Sequence, residues 1–181
     1  MILLPDLPFV LTVVTKGWYG EPIAFAAVVP DGQGAMQDYS TARLSDEHVR
    51  TAENLTSKEQ EAILKLPVVA TKAALCEQFW SFWEKWIEHR PFRLQFIYDE
   101  VLHPGALPFL QECVRVDETL RRDLDPLKVD VATLLITHGY NPRTSRYVIA
   151  KMAGGEVGNL THLALAIAAC YTDLQKIIEG T

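Results

Sequence analysis

The chain opens with extended structure before any helical pattern begins, and that order constrains its fold more than any other feature. Phe9-Val10-Leu11-Thr12-Val13-Val14-Thr15 is apolar and β-branched almost throughout, the pattern of a strand covered on both faces. Lys16 to Glu21 forms a turn containing Gly17 and Gly20, and Ile23 to Val29 reads as a second strand. Pro30-Asp31-Gly32 closes that strand with a strong turn signal, and Ala35 to Leu44 returns as a third. Three successive strands joined by short turns predict an antiparallel meander.

Helical patterns follow. Asp46 to Leu66 is polar and helical in character, with Ser45 and Thr56-Ser57 as candidate caps, Ser57 and Gln60 spaced as a capping box, and Pro67 as terminator. Thr71 to His89 is the clearest helix, capped by Thr71. Leu75, Phe79, Phe82-Trp83 and Trp86 recur at helical spacing, and Cys76, Trp80 and Ile87 widen the stripe. A stripe this broad predicts one side on a sheet and the other against a helix or a second subunit. Phe92 to Tyr98 reads as a fourth strand ending at Asp99, and Pro104 to Val114 as a helix with Pro at or near its first position. Pro126 to His138 holds another helix, stopped by Gly139, and Leu160 to Ile178 reads as the last one. Arg143 to Ala150 fits either a short strand or a turn-rich connection. Strands first, then helices alternating with at least one more strand, predict a single α/β domain over residues 1–181, with a mixed central sheet and flanking helices in three layers.

At 181 residues and 49% hydrophobic content, the chain is long enough to bury a substantial core. The net charge of −6 leans against a dedicated nucleic-acid binder, and the basic clusters are short: Arg121-Arg122, then Arg143 and Arg146. Cys76, Cys113 and Cys170 are odd in number and far apart, so no zinc site or disulfide framework is suggested and each reads as a small buried hydrophobe. Pro5, Asp6 and Pro8 interrupt the apolar start, and the longest apolar run, Leu163 to Tyr171, is far short of a membrane span. A cytoplasmic protein in a reducing compartment, without a membrane partner, is the expectation.

Several segments, in order, resemble those of the DEDDh-type 3′–5′ exonucleases. Phe9 to Gly17 with Gly20 to Val29 is similar to that family's opening hairpin, and Thr71-Lys72 through Trp80-Ser81-Phe82-Trp83 to the helix before its central metal-binding strand. Phe96-Ile97-Tyr98-Asp99, with His103-Pro104 and Phe109-Leu110 after it, resembles the strand ending in the second-motif Asp. Pro126-Leu127, Asp130 to Leu135 and Gly139 resemble the family's Pro-Leu-x-Asp-x-Ala-Thr segment. Thr161-His162 through Ala168 resembles the third motif, in which an Asp follows a His by five residues. The resemblance implies a ribonuclease H-like three-layer fold across nearly the whole chain.

Carried over position by position, the family's first Asp falls on Thr12, its Glu on Val14, its second Asp on Asp99, its His on His162 and its last Asp on Ile167. In the active family four carboxylates hold two magnesium ions, and the His acts as base toward the attacking water. That arrangement stabilises both the attacking and the leaving oxygens. Here Thr12 offers a neutral hydroxyl, and Val14 and Ile167 offer no ligand. One carboxylate and one imidazole cannot neutralise two divalent cations roughly 4 Å apart. Asp6 and Glu21 flank the first strand without lying in it, and Asp173 faces away from the Ile167 direction at about 100° per residue. No shift of the alignment restores the set, so the resemblance implies a retained fold with no catalytic residues and no metal cofactor.

The individual residues read in two ways. Asp99 is either a remnant metal ligand or a strand-end acid capping a turn, and His162, opposite the apolar stripe of its helix, is a remnant base or an ordinary polar residue. Ile167 falls within that stripe. Trp80, Trp83 and Trp86 read as core packing in preference to base-stacking groups. Lys16, Arg143 and Arg146 are candidate nucleic-acid contacts, or solvated cations paired with acids such as Asp117, Asp123 and Asp125. The leading expectation is a catalytically inactive exonuclease homologue that binds a protein partner or a nucleic-acid end, the acidic charge leaning toward the protein. An alternative keeps magnesium- or manganese-dependent cleavage of single-stranded DNA or RNA at a rebuilt site, with Asp99 as metal ligand and His162 with Glu100 or Glu156 recruited. A third makes the domain a homodimerisation module built on the Trp-rich helix.

Overall fold

A computed structural model describes residues 6–18, 20–31, 35–87, 93–102, 104–117, 128–152 and 159–179. The expected meander is present: β1 (Asp6–Thr15), β2 (Pro22–Pro30) and β3 (Met36–Arg43) pair antiparallel, with Val10 opposite Val28 and Val28 opposite Tyr39. Strand β4 (Arg93–Tyr98) adds to the other side of β1 in parallel, Phe9 beside Phe96 and Val10 beside Ile97. A short β5 (Lys128–Asp130) follows in parallel, giving a mixed sheet of order β3-β2-β1-β4-β5. Strand β1 lies at its centre, which accounts for its unbroken apolar character.

Helices cover both faces of the sheet. The chain continues from β3 into α1 (Asp46–Arg50) and α2 (Ser57–Ile63), then α3 (Lys72–Ile87) before β4 and α4 (Ala106–Val116) after it. Beyond β5 come α5 (Val131–Thr137), α6 (Arg146–Ile149) and α7 (Leu160–Glu179). Side chains alternate across β1, so Phe9, Leu11 and Val13 face α3 and α4, whereas Val10 packs with Val28, Ile97 and the apolar sides of α5 and α7. The first face is aromatic. Phe9 meets Trp83 edge-on with ring centroids 4.8 Å apart, and Phe25 stacks on Phe109 at 5.3 Å. Such pairs contribute about 0.5–1.5 kcal/mol each beyond the area they bury.

Several sequence expectations need correction: Asp6, expected to precede the first strand, is the first residue of β1 and pairs with Arg93. The polar stretch after β3 is two short helices, and its capping box uses Thr56 and Glu59, one residue earlier than Ser57 and Gln60. Helix α4 is capped by Gly105, leaving Pro104 ahead of the helix. Within Pro126 to His138 the expected helix is α5; the short strand β5 precedes it, and Asp130 caps it through the amides of Ala132 and Thr133. Arg143 to Ala150 contains α6. Trp80, Trp83 and Trp86 are all buried in the chain's own core, so this face of α3 is not available to a second subunit. Among the described residues, no helix is long and apolar enough to cross a membrane.

Candidate functional site

The carboxyl ends of β1 and β4 bring together most of the positions singled out in the sequence. Thr12 and Val14 share a face of β1 with Val10, and Asp99 follows Ile97 by two residues, so all three point to the side covered by α6 and α7. Thr12 and Asp99 each lie two residues beyond Val10–Ile97, the last pair of the β1–β4 ladder. Helix α7 begins above them. Its first turn is capped by Asn159, whose side-chain oxygen accepts from the His162 amide at 3.0 Å. The Thr12 hydroxyl lies 3.3 Å from the Leu160 carbonyl and 3.4 Å from that of Ala26, a tie between β1 and the start of α7.

Asp99 is 1% exposed and fully engaged. One carboxylate oxygen accepts from the amides of Val101 and Leu102, each at 3.2 Å, as a strand-end turn requires. The other accepts from Arg146 Nε at 2.6 Å, and both side chains of this ion pair are completely buried. Arg146 donates its remaining nitrogens to the carbonyls of Thr144 at 2.7 Å and Pro142 at 2.9 Å. Its own carbonyl accepts from the Cys170 thiol of α7 at 3.2 Å. Helix α6 is thereby pinned between the sheet and α7. The nucleic-acid role considered for Arg146 does not survive this placement, since a buried guanidinium bound to Asp99 cannot track a phosphate backbone.

His162 is half-buried, its ring beside that of Tyr147 with centroids 5.2 Å apart. Ile167 is buried one level deeper, packed with Val10, Val28 and Ile97. Val14 lies in the same core as Leu160. Thr12, Asp99 and His162 thus gather around the start of α7 and around α6, whereas Val14 and Ile167 serve packing. Lys16 and Arg143 are exposed, and no hydrogen bond or ion pair joins either to Asp99 or His162 among the described residues. Arg121, Arg122, Asp123, Asp125 and Glu156 lie outside the described residues.

A second acidic group flanks Asp99. The Asp130 carboxylate caps α5 and accepts the Glu100 amide at 3.1 Å, tying the end of β4 to β5. Burial, and then the charges of Asp130 and Asp99, push the Glu100 carboxyl above the ordinary carboxylate range, and its Oε2 is buried without a hydrogen-bond partner. Burial likewise raises the Tyr98 phenol, with Asp130 and Glu100 adding to the effect. Sequence reading missed both the Arg146 partnership and the Asp130 cap. The only signal for the first is an arginine immediately before the apolar run Tyr147-Val148-Ile149, and for the second an Asp two residues before Ala132.

The donor set does not fit a pair of magnesium ions. Both Asp99 oxygens are taken, its charge is offset by a guanidinium, and Thr12 faces two carbonyls. Among the described residues, no three His, Cys, Asp or Glu side chains are placed to hold a metal ion. Comparison with known proteins returns no matching family model and no significant match to a curated protein.

Proposed function

We propose that this domain is a catalytically silent relative of the DEDDh exonucleases that acts by binding. One observation carries the reading: Asp99, the only carboxylate left at the positions of the family's metal ligands, is held in a fully buried ion pair with Arg146. A fixed guanidinium supplies permanently the positive charge that a divalent cation would bring, and its place is incompatible with one. The apolar packing of Val14 and Ile167 supports the same reading, because restoring carboxylates there would bury uncompensated charge. The net charge of −6 favours a protein over a nucleic-acid end as the bound partner.

The test is an assay of the purified chain on 3′-labelled single-stranded DNA and RNA with millimolar magnesium or manganese, alongside Mn²⁺ binding followed by electron paramagnetic resonance. No digestion and no bound manganese are expected. Metal-dependent digestion that Asp99→Asn abolishes would overturn the reading and return the rebuilt-site enzyme to first place. Titration with short single strands at two salt concentrations separates the partners. Tight binding with a steep salt dependence would mean that the acidic surface had been misread and that a nucleic-acid end is bound.

A further inference from the structure

One edge of the sheet is β3, whose outer side meets, among the described residues, a single bridge between Arg43 and Val68 and no further strand. The Arg43 amide donates to the Pro67 carbonyl at 2.9 Å and its carbonyl accepts from the Val69 amide at 2.8 Å, so both groups point away from β2. Main-chain groups alternate along an antiparallel strand, which turns those of Thr41 and Tyr39 outward as well. A row of outward amides and carbonyls is a template for another strand, and the apolar side chains beside it are open: Tyr39 is 52% and Met36 41% exposed. The row is short. Pro67 to Val69 hold the place beside Arg43, and at the other end the β2–β3 register slips, making Gln37 an extra residue on β3. Between these ends the Tyr39 amide is already held, donating to the Asp38 carboxylate at 3.0 Å. The second oxygen of that carboxylate accepts from Lys85 of α3 at 2.6 Å, which fixes Asp38 in place from the next layer.

We propose that Asp38, braced by Lys85, guards the β3 edge against a second copy of this chain, which would otherwise pair with it antiparallel about a two-fold axis at Ser40. The occupant follows from the shape of the open row. A long extended peptide running along β3 collides with Pro67 to Val69, whereas a second copy presents a run of the same short length, bounded in the same way. With the axis at Ser40, the outward groups of Tyr39 meet those of Thr41 on the other copy, and those of Thr41 meet Tyr39, so one patch serves both sides. Asp38 then falls beside Ala42 of the other strand, and no like charges stand opposite each other. This pairing needs the Tyr39 amide, and the Asp38 carboxylate occupies it. Edge strands commonly carry a charge or a bulge that blocks pairing, and β3 has both. The patch is distinct from the Trp-rich side of α3, which is buried in the chain's own core.

The experiment compares the full chain with Asp38→Ala and Asp38→Asn by sedimentation over a wide range of protein concentration, and follows amide hydrogen exchange at Tyr39 and Thr41. Asp38→Ala should self-associate at least about tenfold more tightly than the wild type, because each dimer uses two freed Tyr39 amides. The Tyr39 and Thr41 amides of Asp38→Ala should become protected as concentration rises. Asp38→Asn keeps an oxygen for the Tyr39 amide and should associate no more tightly than the wild type. Adding Thr41→Pro to Asp38→Ala removes an outward N–H that β2 does not use, and should return the chain to monomer. Three results overturn the proposal: Asp38→Ala associating no more than the wild type, Asp38→Asn associating as tightly as Asp38→Ala, or association that leaves the Tyr39 and Thr41 amides unprotected. The last would show that another face joins the copies. If the Thr41→Pro chain does not fold, the exchange data on Asp38→Ala decide the matter.

Discussion

Among the described residues, Asp99 and Arg146 each have only the other as a charged partner, and neither reaches water. Removing one leaves the other as a bare charge in the interior, so Arg146→Met or Asp99→Leu alone should cost about 3–5 kcal/mol in urea denaturation. The double substitution should cost clearly less than the sum, and additive losses would show that the pair is not coupled. Glu100 carries the opposite kind of prediction. Its carboxyl is raised on folding, so the native state holds a proton that the unfolded chain has already lost. Stability is therefore unaffected in acid and falls as pH climbs from the ordinary carboxylate range to Glu100's raised value. Glu100→Gln should raise the melting temperature at neutral pH and change nothing near pH 3. Trp83 is a third case, fully buried with an indole N–H that has no hydrogen-bond partner. Trp83→Ala should cost about 3–5 kcal/mol through the cavity it leaves. Trp83→Phe should cost much less, since it also removes the unpaired donor. The sequence marked Asp99 as a strand-end acid but not its partner, because an ion pair between residues 47 apart leaves no periodic trace.

At the level of elements, what could be read from the chain was whatever has a period long enough to repeat. Strands β1 and β2, helix α3 and helix α7 fall close to their expected bounds because each holds an apolar pattern over many residues, and the mostly polar β3 does so because the turn at Pro30-Asp31-Gly32 marks where it starts. Strand β5 is three residues long and α6 four, too short for either period to register, and both are fixed by tertiary contacts instead. Helix starts went astray by one or two residues where several Ser, Thr or Pro residues compete. Thr56 closes the box with Glu59, and Thr56→Ala should cost about 1 kcal/mol, read by chemical denaturation. Gly105 shows why the start of α4 could not be placed from sequence. A Cβ there would stand 2.9 Å from Thr15 Cγ2 and 3.1 Å from Val13 Cβ, so the helix is seated against β1 by the lack of a side chain. Gly105→Ala should destabilise the domain by about 1–3 kcal/mol through overpacking, and an unchanged urea midpoint would contradict this close approach.

For the whole molecule, the α/β class and the mixed sheet with helices on both faces were legible, because two apolar faces on a central strand demand two covering layers. The candidate site was legible only as a set of replaced residues. What replaced them, an ion pair and extended apolar packing, depends on how α6 and α7 fold back over the sheet. The topology also bears on the order of assembly. Strand β1 pairs with its sequence neighbour β2 on one side, and on the other with β4, which arrives only after three helices. Closing the first pairing needs a short loop, and closing the second must overcome a much larger entropy of the intervening chain. The meander is therefore expected to form in the rate-limiting step of folding, with β4 and the Asp99–Arg146 lock consolidating afterwards. Substitutions within β1–β2 should slow refolding, whereas Asp99→Leu should act mainly by speeding unfolding.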